Sequence, residues 1–195
     1  IAALEGFAAA FGLRQSKAMI GFANGTTQEL ALLYDPAKLS VRHDPRGQKW
    51  TPPRSGRRMR LSAIGPHMRA PRFDGSFPLD IDEDGLVDFH EFSKPPIEAE
   101  LTIGDRVIRM IGVHAKSKAP HGAKSPRDAV RLQIRNRRKQ LAQCEWIRRR
   151  VDQHLEAEED GIVLGDFNDG PGLDRYERLF GRSGVEVVVG SVAEP

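Results

Sequence analysis

The chain has 195 residues, with 30 Lys and Arg against 27 Asp and Glu, 39% hydrophobic residues and a single cysteine. That length and apolar share suffice for one substantial core, so one domain, or one domain carrying an insertion, is expected. One cysteine excludes a disulfide framework, no apolar run reaches membrane-spanning length, and no internal repeat is visible.

In chain order, Ile1-Ala-Ala-Leu-Glu-Gly-Phe-Ala-Ala-Ala10 predicts a helix over about residues 2–12. Leu30-Ala-Leu-Leu-Tyr-Asp-Pro-Ala-Lys-Leu-Ser-Val41 predicts a strand near 29–34 followed by a turn. Between Arg42 and Arg72, nine Lys or Arg face one acid, Asp44, interleaved with Pro45, Pro52, Pro53, Pro66 and Pro71. Such a stretch reads as a basic loop. Its Arg54, Arg57, Arg58 and Arg60 are candidates for contacting a phosphate backbone, with binding that weakens steeply in salt. Trp50 is a candidate for stacking on a base. A solvated insertion without a ligand is the alternative.

Asp80-Ile-Asp-Glu-Asp-Gly-Leu-Val-Asp-Phe-His-Glu91 has the spacing of a twelve-residue calcium loop. Asp80, Asp82 and Asp84 take positions one, three and five, and Gly85 allows the sharp turn at six. Leu86 offers its carbonyl, Asp88 acts through water at nine, and Glu91 closes the site at twelve. All-oxygen ligation of this number favours Ca²⁺ over Mg²⁺. Pro78 before the loop and Lys94-Pro95-Pro96 after it leave no room for paired flanking helices. An isolated loop with a structural Ca²⁺ is therefore expected. The plainer alternative, a solvated acidic turn, leaves the crowding of like charges around Gly85 unexplained.

Strands are predicted near 98–103 and 107–113, the second ending in His114-Ala-Lys-Ser-Lys118. A histidine at a strand end followed by Lys116 and Lys118 suits an acid and anion-binding site, though a hydrogen-bonded structural histidine is the commoner outcome. A helix is expected over 126–157, capped by Ser125, with Pro126 in its first turn and Asp128 near the positive end of its dipole. Val130, Ile134, Leu141, Cys144, Ile147, Val151 and Leu155 form its buried stripe, with Arg137 and Gln140 on the inward turn. Arg131, Arg135, Arg138, Lys139, Arg148, Arg149 and Arg150 crowd the remaining faces, which read as solvated. Gly161-Ile-Val-Leu-Gly-Asp-Phe-Asn-Asp-Gly170 then predicts a strand over 161–166 that stops abruptly. Two residues apart on an extended chain, Asp166 and Asn168 point to the same side, where together they can handle a phosphate. The same residues also make an ordinary polar turn. A helix near 173–180 and a strand near 185–189 complete the pattern.

Together, the strand ending in His-x-Lys-Ser-Lys, the long Arg- and Gln-bearing helix and Ile-Val-Leu-Gly-Asp-Phe-Asn-Asp resemble the endonuclease/exonuclease/phosphatase superfamily, the fold of DNase I and the exonuclease III-type repair nucleases. The likeness covers most of residues 26–41 and 93–189, with 42–92 as an insertion containing the basic loop and the 80–91 loop. It implies a layered α/β sandwich, two packed sheets flanked by helices, within one partial domain over 1–195. It also implies that His114 sits beside the scissile phosphate, Asp166 orients or activates the attacking water, and Asn168 contacts the phosphate, with Lys116 assisting as a point charge. Three family elements do not occur in this sequence: an Asn on the first strand, a metal-binding Glu in a Leu-Gln-Glu segment and a closing Ser-Asp-His. Glu5 lies on a predicted helix, not at a strand end, and is a poor substitute for that Glu. Truncation at both ends is the simplest expectation.

The reading that follows is a phosphodiester hydrolase using Mg²⁺ or Mn²⁺, with DNA or RNA favoured by the basic loop and a structural Ca²⁺ beside it. Two alternatives are a sphingomyelinase- or inositol-phosphatase-like phosphoesterase of the same fold and a calcium-stabilised binding module whose catalysis has decayed. An isolated calcium loop fills most readily in a calcium-rich exterior, so a secreted or periplasmic location is expected.

Overall fold

A computed structural model describes residues 1–52, 59–169, 175, 178 and 181–190, the side chain of His67 excepted. The fold is mixed α/β, with several small sheets and few helices, and its contacts group into two compact units. No described helix is long and apolar enough to cross a membrane.

The first unit comprises residues 1–46, 93–114 and 153–165. Helix α1 (Ala2–Ala10) precedes a two-stranded antiparallel ribbon, β1 (Lys17–Ile20) with β2 (Ala31–Tyr34). A four-stranded sheet has the order β3 (Ser40–His43), β7 (Ile97–Ile103), β8 (Arg106–His114), β9 (Gly161–Asp166). Strands β3, β7 and β8 are mutually antiparallel, and β7 turns into β8 through Gly104, whose φ of 61° suits a tight hairpin. Ile97, Ala99 and Met110 form the core, with Met19, Leu30, Leu32, Val41 and Leu101 packed against it.

One side of this sheet is held by ion pairs. Arg109 lies 2.9 Å from Asp44, 2.6 Å from Glu100 and 2.7 Å from Glu159, while Arg42 and Arg46 add second cations to the same acids. Burial alone would raise Glu159, yet hydrogen bonds from His154 and Arg109 outweigh it and hold the carboxyl below its ordinary value.

The second unit comprises 47–92, 115–152 and 166 onward. A small sheet of order β4 (Met59–Arg60), β6 (Leu86–His90), β5 (Phe77–Leu79) lies within it. Two 3₁₀ turns, Leu61–Ala63 and Pro66–Met68, break up the predicted basic loop. The core is built around Trp146, which is fully buried, stacks on Phe77 at 5.3 Å and touches Phe73 and Phe92. Its indole N–H donates to Pro71 O at 2.9 Å, so the polar end of the ring is satisfied.

Helix α2 (Pro126–Glu156) belongs mostly to this unit. Ser125 caps it as expected, its Oγ accepting from Asp128 N at 3.1 Å. Leu141, Cys144 and Ile147 are buried, but Val130 is 43% and Leu155 58% exposed, so the apolar stripe ends short of both helix termini. Arg137 and Gln140 do face inward, at 2% and 0% exposure. Arg150, expected on a solvated face, is instead 1% exposed: Nη2 donates to Ala70 O and Pro71 O, and the guanidinium lies over the Phe73 ring. Two backbone carbonyls and an aromatic face make this burial tolerable.

The strand expected near 185–189 is a helix, α3 (Gly184–Val189). Ser183 Oγ accepts from Glu186 N at 3.1 Å and Glu186 Oε2 accepts from Ser183 N at 2.7 Å, a capping box that outweighs the strand preference of the valine run. Val187 and Val188 are both buried, which an alternating strand with one solvated face would not give. Of the helix expected near 173–180, all but residues 175 and 178 lies outside the described residues.

Candidate functional site

Strands β8 and β9 are neighbours, and their bonds advance in the same direction: Arg109 N donates to Asp160 O at 2.8 Å, and Ala115 N to Asp166 O at 2.8 Å. The strands therefore run parallel, joined through α2, and the two motifs leave at corresponding strand ends, the usual placement of functional residues in parallel α/β structure. Gly165 makes this exit sterically possible. Its φ is 131°, and a Cβ there would stand 2.1 Å from Val113 O.

The turn after β9 is closed by its own side chains. Asn168 N donates to Asp166 Oδ1 at 2.8 Å, and Asn168 itself has φ 51°. Its Nδ2 donates to Ala115 O at 3.0 Å and lies 3.3 Å from Asp166 Oδ2. Both amide protons of Asn168 are thus engaged in holding the Asp166 carboxylate against the segment that follows β8. Asp166 is exposed and Asn168 half-buried. The two side chains do meet, but through a turn in which Asn168 has φ 51° and not through the extended chain expected, and the amide is turned toward protein.

His114 is half-buried, and Lys94 Nζ lies 3.4 Å from its Nδ1. An ammonium can only donate, so in this contact Nδ1 is the acceptor and the ring N–H lies at Nε2. Lys94, the first residue of the Lys-Pro-Pro that follows the acidic loop, carries no local signal of this contact.

The two lysines after His114 divide. Lys118 Nζ is 2.8 Å from Asp169 Oδ1, with Arg137 3.6 Å from the same oxygen, so Lys118 is part of a buried clamp. Burial would raise Asp169, but hydrogen bonds from Lys118 and Val185 N, with the charge of Arg137, hold its carboxyl below the ordinary range. Lys116 is half-buried, near enough to Lys139 for their charges to interact: burial first, then Lys116, lowers the Lys139 ammonium. Lys139, read from sequence as part of a solvated face, is the cation that places a second positive charge beside Lys116. Its position between the inward Arg137 and Gln140 was the available signal.

In the acidic loop, Asp80 Oδ1 and Oδ2 accept from Asp84 N and Gly85 N at 3.2 and 2.8 Å, and Asp84 Oδ1 accepts from Leu86 N at 2.9 Å. Gly85 takes φ 79°, as the motif demands. Asp82 and Asp88 are engaged by Arg138, while Glu91 Oε1 accepts from Ser76 Oγ at 2.6 Å. Among the described residues, no three His, Cys, Asp or Glu side chains gather as a metal site, here or around Asp166.

Of the six described cations in the basic stretch, four are compensated. Arg42, Arg46, Lys49 and Arg72 are held in ion pairs, and Arg54, Arg57 and Arg58 lie outside the described residues. Arg60 and Arg69 are exposed. Trp50 is half-buried with its ring 5.3 Å from Phe89, so it packs against protein and is not a free stacking platform.

No family model, curated protein or solved structure matches this chain.

Proposed function

We propose that the protein is a phosphodiester hydrolase on a DNase I-like layered sandwich, with nucleic acid as its substrate. The observation that carries the proposal is the pairing of the two motif segments through Ala115: its N–H donates to Asp166 O and its C=O accepts from Asn168 Nδ2, at 2.8 and 3.0 Å. A carboxylate held by its neighbours and open to solvent suits a group that orients water for attack on phosphorus. In this reading, Asp166 orients the water and His114 donates a hydrogen bond from Nε2–H to a phosphate oxygen. Asn168 fixes Asp166, and contacts the phosphate only by releasing a present partner. Lys116 and Lys139 offset charge on the phosphate.

A divalent ion would supply further charge stabilisation. Apart from Asp166, the described residues offer no carboxylate grouped to hold it, and no step here is routed through it. Dependence on Mg²⁺ or Mn²⁺ is therefore a measurement to make alongside the activity.

The deciding experiment is hydrolysis of single-stranded DNA, RNA and a small aryl phosphodiester by the wild type, His114→Ala and Asp166→Ala, with Mg²⁺, Mn²⁺ and EDTA. Each substitution should reduce turnover by about a hundredfold or more, the range for loss of an acid–base or electrostatic group. Near-normal turnover in both variants would remove the assigned residues from the chemistry. Hydrolysis of a lipid or inositol phosphoester in preference to nucleic acid would retain the site and change the substrate.

A further inference from the structure

One turn of α2 places two buried amides beneath both motif segments. Gln140, fully buried, donates from Nε2 to Phe167 O at 2.5 Å and Asn168 O at 2.9 Å. Gln143, 2% exposed, accepts at Oε1 from Lys116 N at 2.7 Å and donates from Nε2 to Glu91 O at 3.1 Å. Lys116 lies two residues beyond β8, and Glu91 one beyond β6, where the strand ladders no longer satisfy the backbone. Gln143 replaces the missing ladder partners on both sides.

The side chain required here is narrowly defined. The site needs an acceptor for an N–H and a donor for a C=O on one rigid planar group, without a charge to bury; a carboxamide meets all three conditions. Asparagine, one methylene shorter, has the same groups without the reach.

We propose that Gln143 is a positioning residue that fixes the backbone at Lys116, and with it the segment entered from His114. The activity part of this inference rests on the phosphodiesterase reading, whereas the geometric part does not. Two substitutions separate positioning from packing. Gln143→Met keeps the volume and loses both hydrogen bonds. Gln143→Glu keeps the acceptor for Lys116 N–H, loses the donor to Glu91 O and buries a charge. On stability alone the methionine variant should therefore be the better of the two. For holding Lys116 the order reverses.

The experiment combines thermal unfolding, amide hydrogen exchange resolved at Lys116, and kcat and KM on the small phosphodiester. The expected result is that Gln143→Met unfolds at the higher temperature of the two but exchanges the Lys116 amide at least tenfold faster than wild type, while Met110 and Ile111 on β8 stay protected. Gln143→Glu should retain Lys116 protection. The kinetic counterpart is about a tenfold fall in kcat/KM for the methionine variant, a modest part of what misplacing a reacting group can cost, and recovery of most of it in the glutamate variant. If exchange at Lys116 follows stability, with glutamate worse than methionine, Gln143 is only a packing residue and the proposal falls. Should either variant fail to fold, the other still decides: unprotected Lys116 in the glutamate variant, or protected Lys116 in the methionine variant, overturns it. If wild type hydrolyses nothing, the phosphodiesterase reading fails and the exchange data alone judge Gln143. If wild type is active and the methionine variant loses Lys116 protection with kcat/KM unchanged, the reading stands and the positioning role does not.

Discussion

Arg138 grips Asp82 with both terminal nitrogens, Nη1 to Oδ1 at 2.7 Å and Nη2 to Oδ2 at 2.6 Å, and its Nη2 lies 3.4 Å from Asp88 Oδ2. Two of the carboxylates expected to hold calcium are thus compensated by a guanidinium from α2. Calcium and Arg138 compete for the same oxygens.

The first prediction follows from that competition. The Arg138–Asp82 pair is substantially solvated, at 30% and 43% side-chain exposure, so it is worth at most about 1 kcal/mol and opposes calcium by about fivefold in affinity. Arg138→Gln should therefore tighten Ca²⁺ binding by up to about that factor, and Glu91→Gln should weaken it. Wild type should gain thermal stability with added Ca²⁺, since an ion bound only by the folded state stabilises it by mass action. Isothermal titration of the three proteins checks this. Absence of calcium uptake in both wild type and Arg138→Gln would leave the segment an acidic turn held by arginine.

Much of the frame was legible because it depends on local pattern: the α2 cap at Ser125, the four strands over 29–34, 98–103, 107–113 and 161–166, and the inward Arg137 and Gln140. What escaped the sequence depends on distant partners. Arg150 looks solvated until Ala70 O, Pro71 O and Phe73 are brought to it, and Lys118 looks like an anion site until Asp169 arrives. The valines at 185–189 misled for a local reason, because the capping box at Ser183 and Glu186 was overlooked. His114 and Asp166 do stand at the strand ends the sequence suggested, but the contact of Lys94 with His114 and the grip of Gln143 on Lys116 have no sequence signature.

The second prediction concerns nucleic-acid affinity. With Arg42, Arg46, Lys49 and Arg72 held in ion pairs, the salt-dependent contacts of the basic stretch should come mainly from the cluster Arg54, Arg57, Arg58 and Arg60, with exposed Arg69 beyond it. Replacing these four by Ala should lower the slope of log K against log salt by up to roughly 3 to 4, near one per phosphate contact, while hydrolysis of a small phosphodiester is unchanged. Fluorescence anisotropy at several salt concentrations measures the slope. An unaltered slope would take this stretch out of the interface.

A third prediction uses the lone cysteine. Cys144 is completely buried, and burial, with the nearby Asp169 adding to it, pushes its thiol up to about 12. A Cβ at Gly184 would come within 2.8 Å of Cys144 Sγ, so α3 packs directly over the thiol. Because thiolate is the reactive form, iodoacetamide should leave the native protein unmodified at pH 8 and alkylate it in denaturant. Prompt alkylation of the native protein would mean that α3 opens readily. Gly184→Ala, which forces the helix away from the sulfur, should accelerate the reaction.

The last prediction is a pH dependence of stability centred on His90. Its ring is lowered to about 4, chiefly by burial; Asp88 opposes the shift, and Arg138 and Lys139 add to it. In the unfolded chain the ring titrates near its ordinary value of about 6.5. Between these two values the unfolded state binds the extra proton, so the contribution to stability is complete above about pH 6.5 and declines as pH falls toward 4. The full loss is on the order of 2–3 kcal/mol, somewhat less than the shift implies because the ring retains some solvent. Urea unfolding of calcium-free protein from pH 7 to 4 should show this decline, and His90→Phe should flatten it over the same window. If the two proteins lose stability in parallel, the acid sensitivity comes from the paired carboxylates and His90 is not its source.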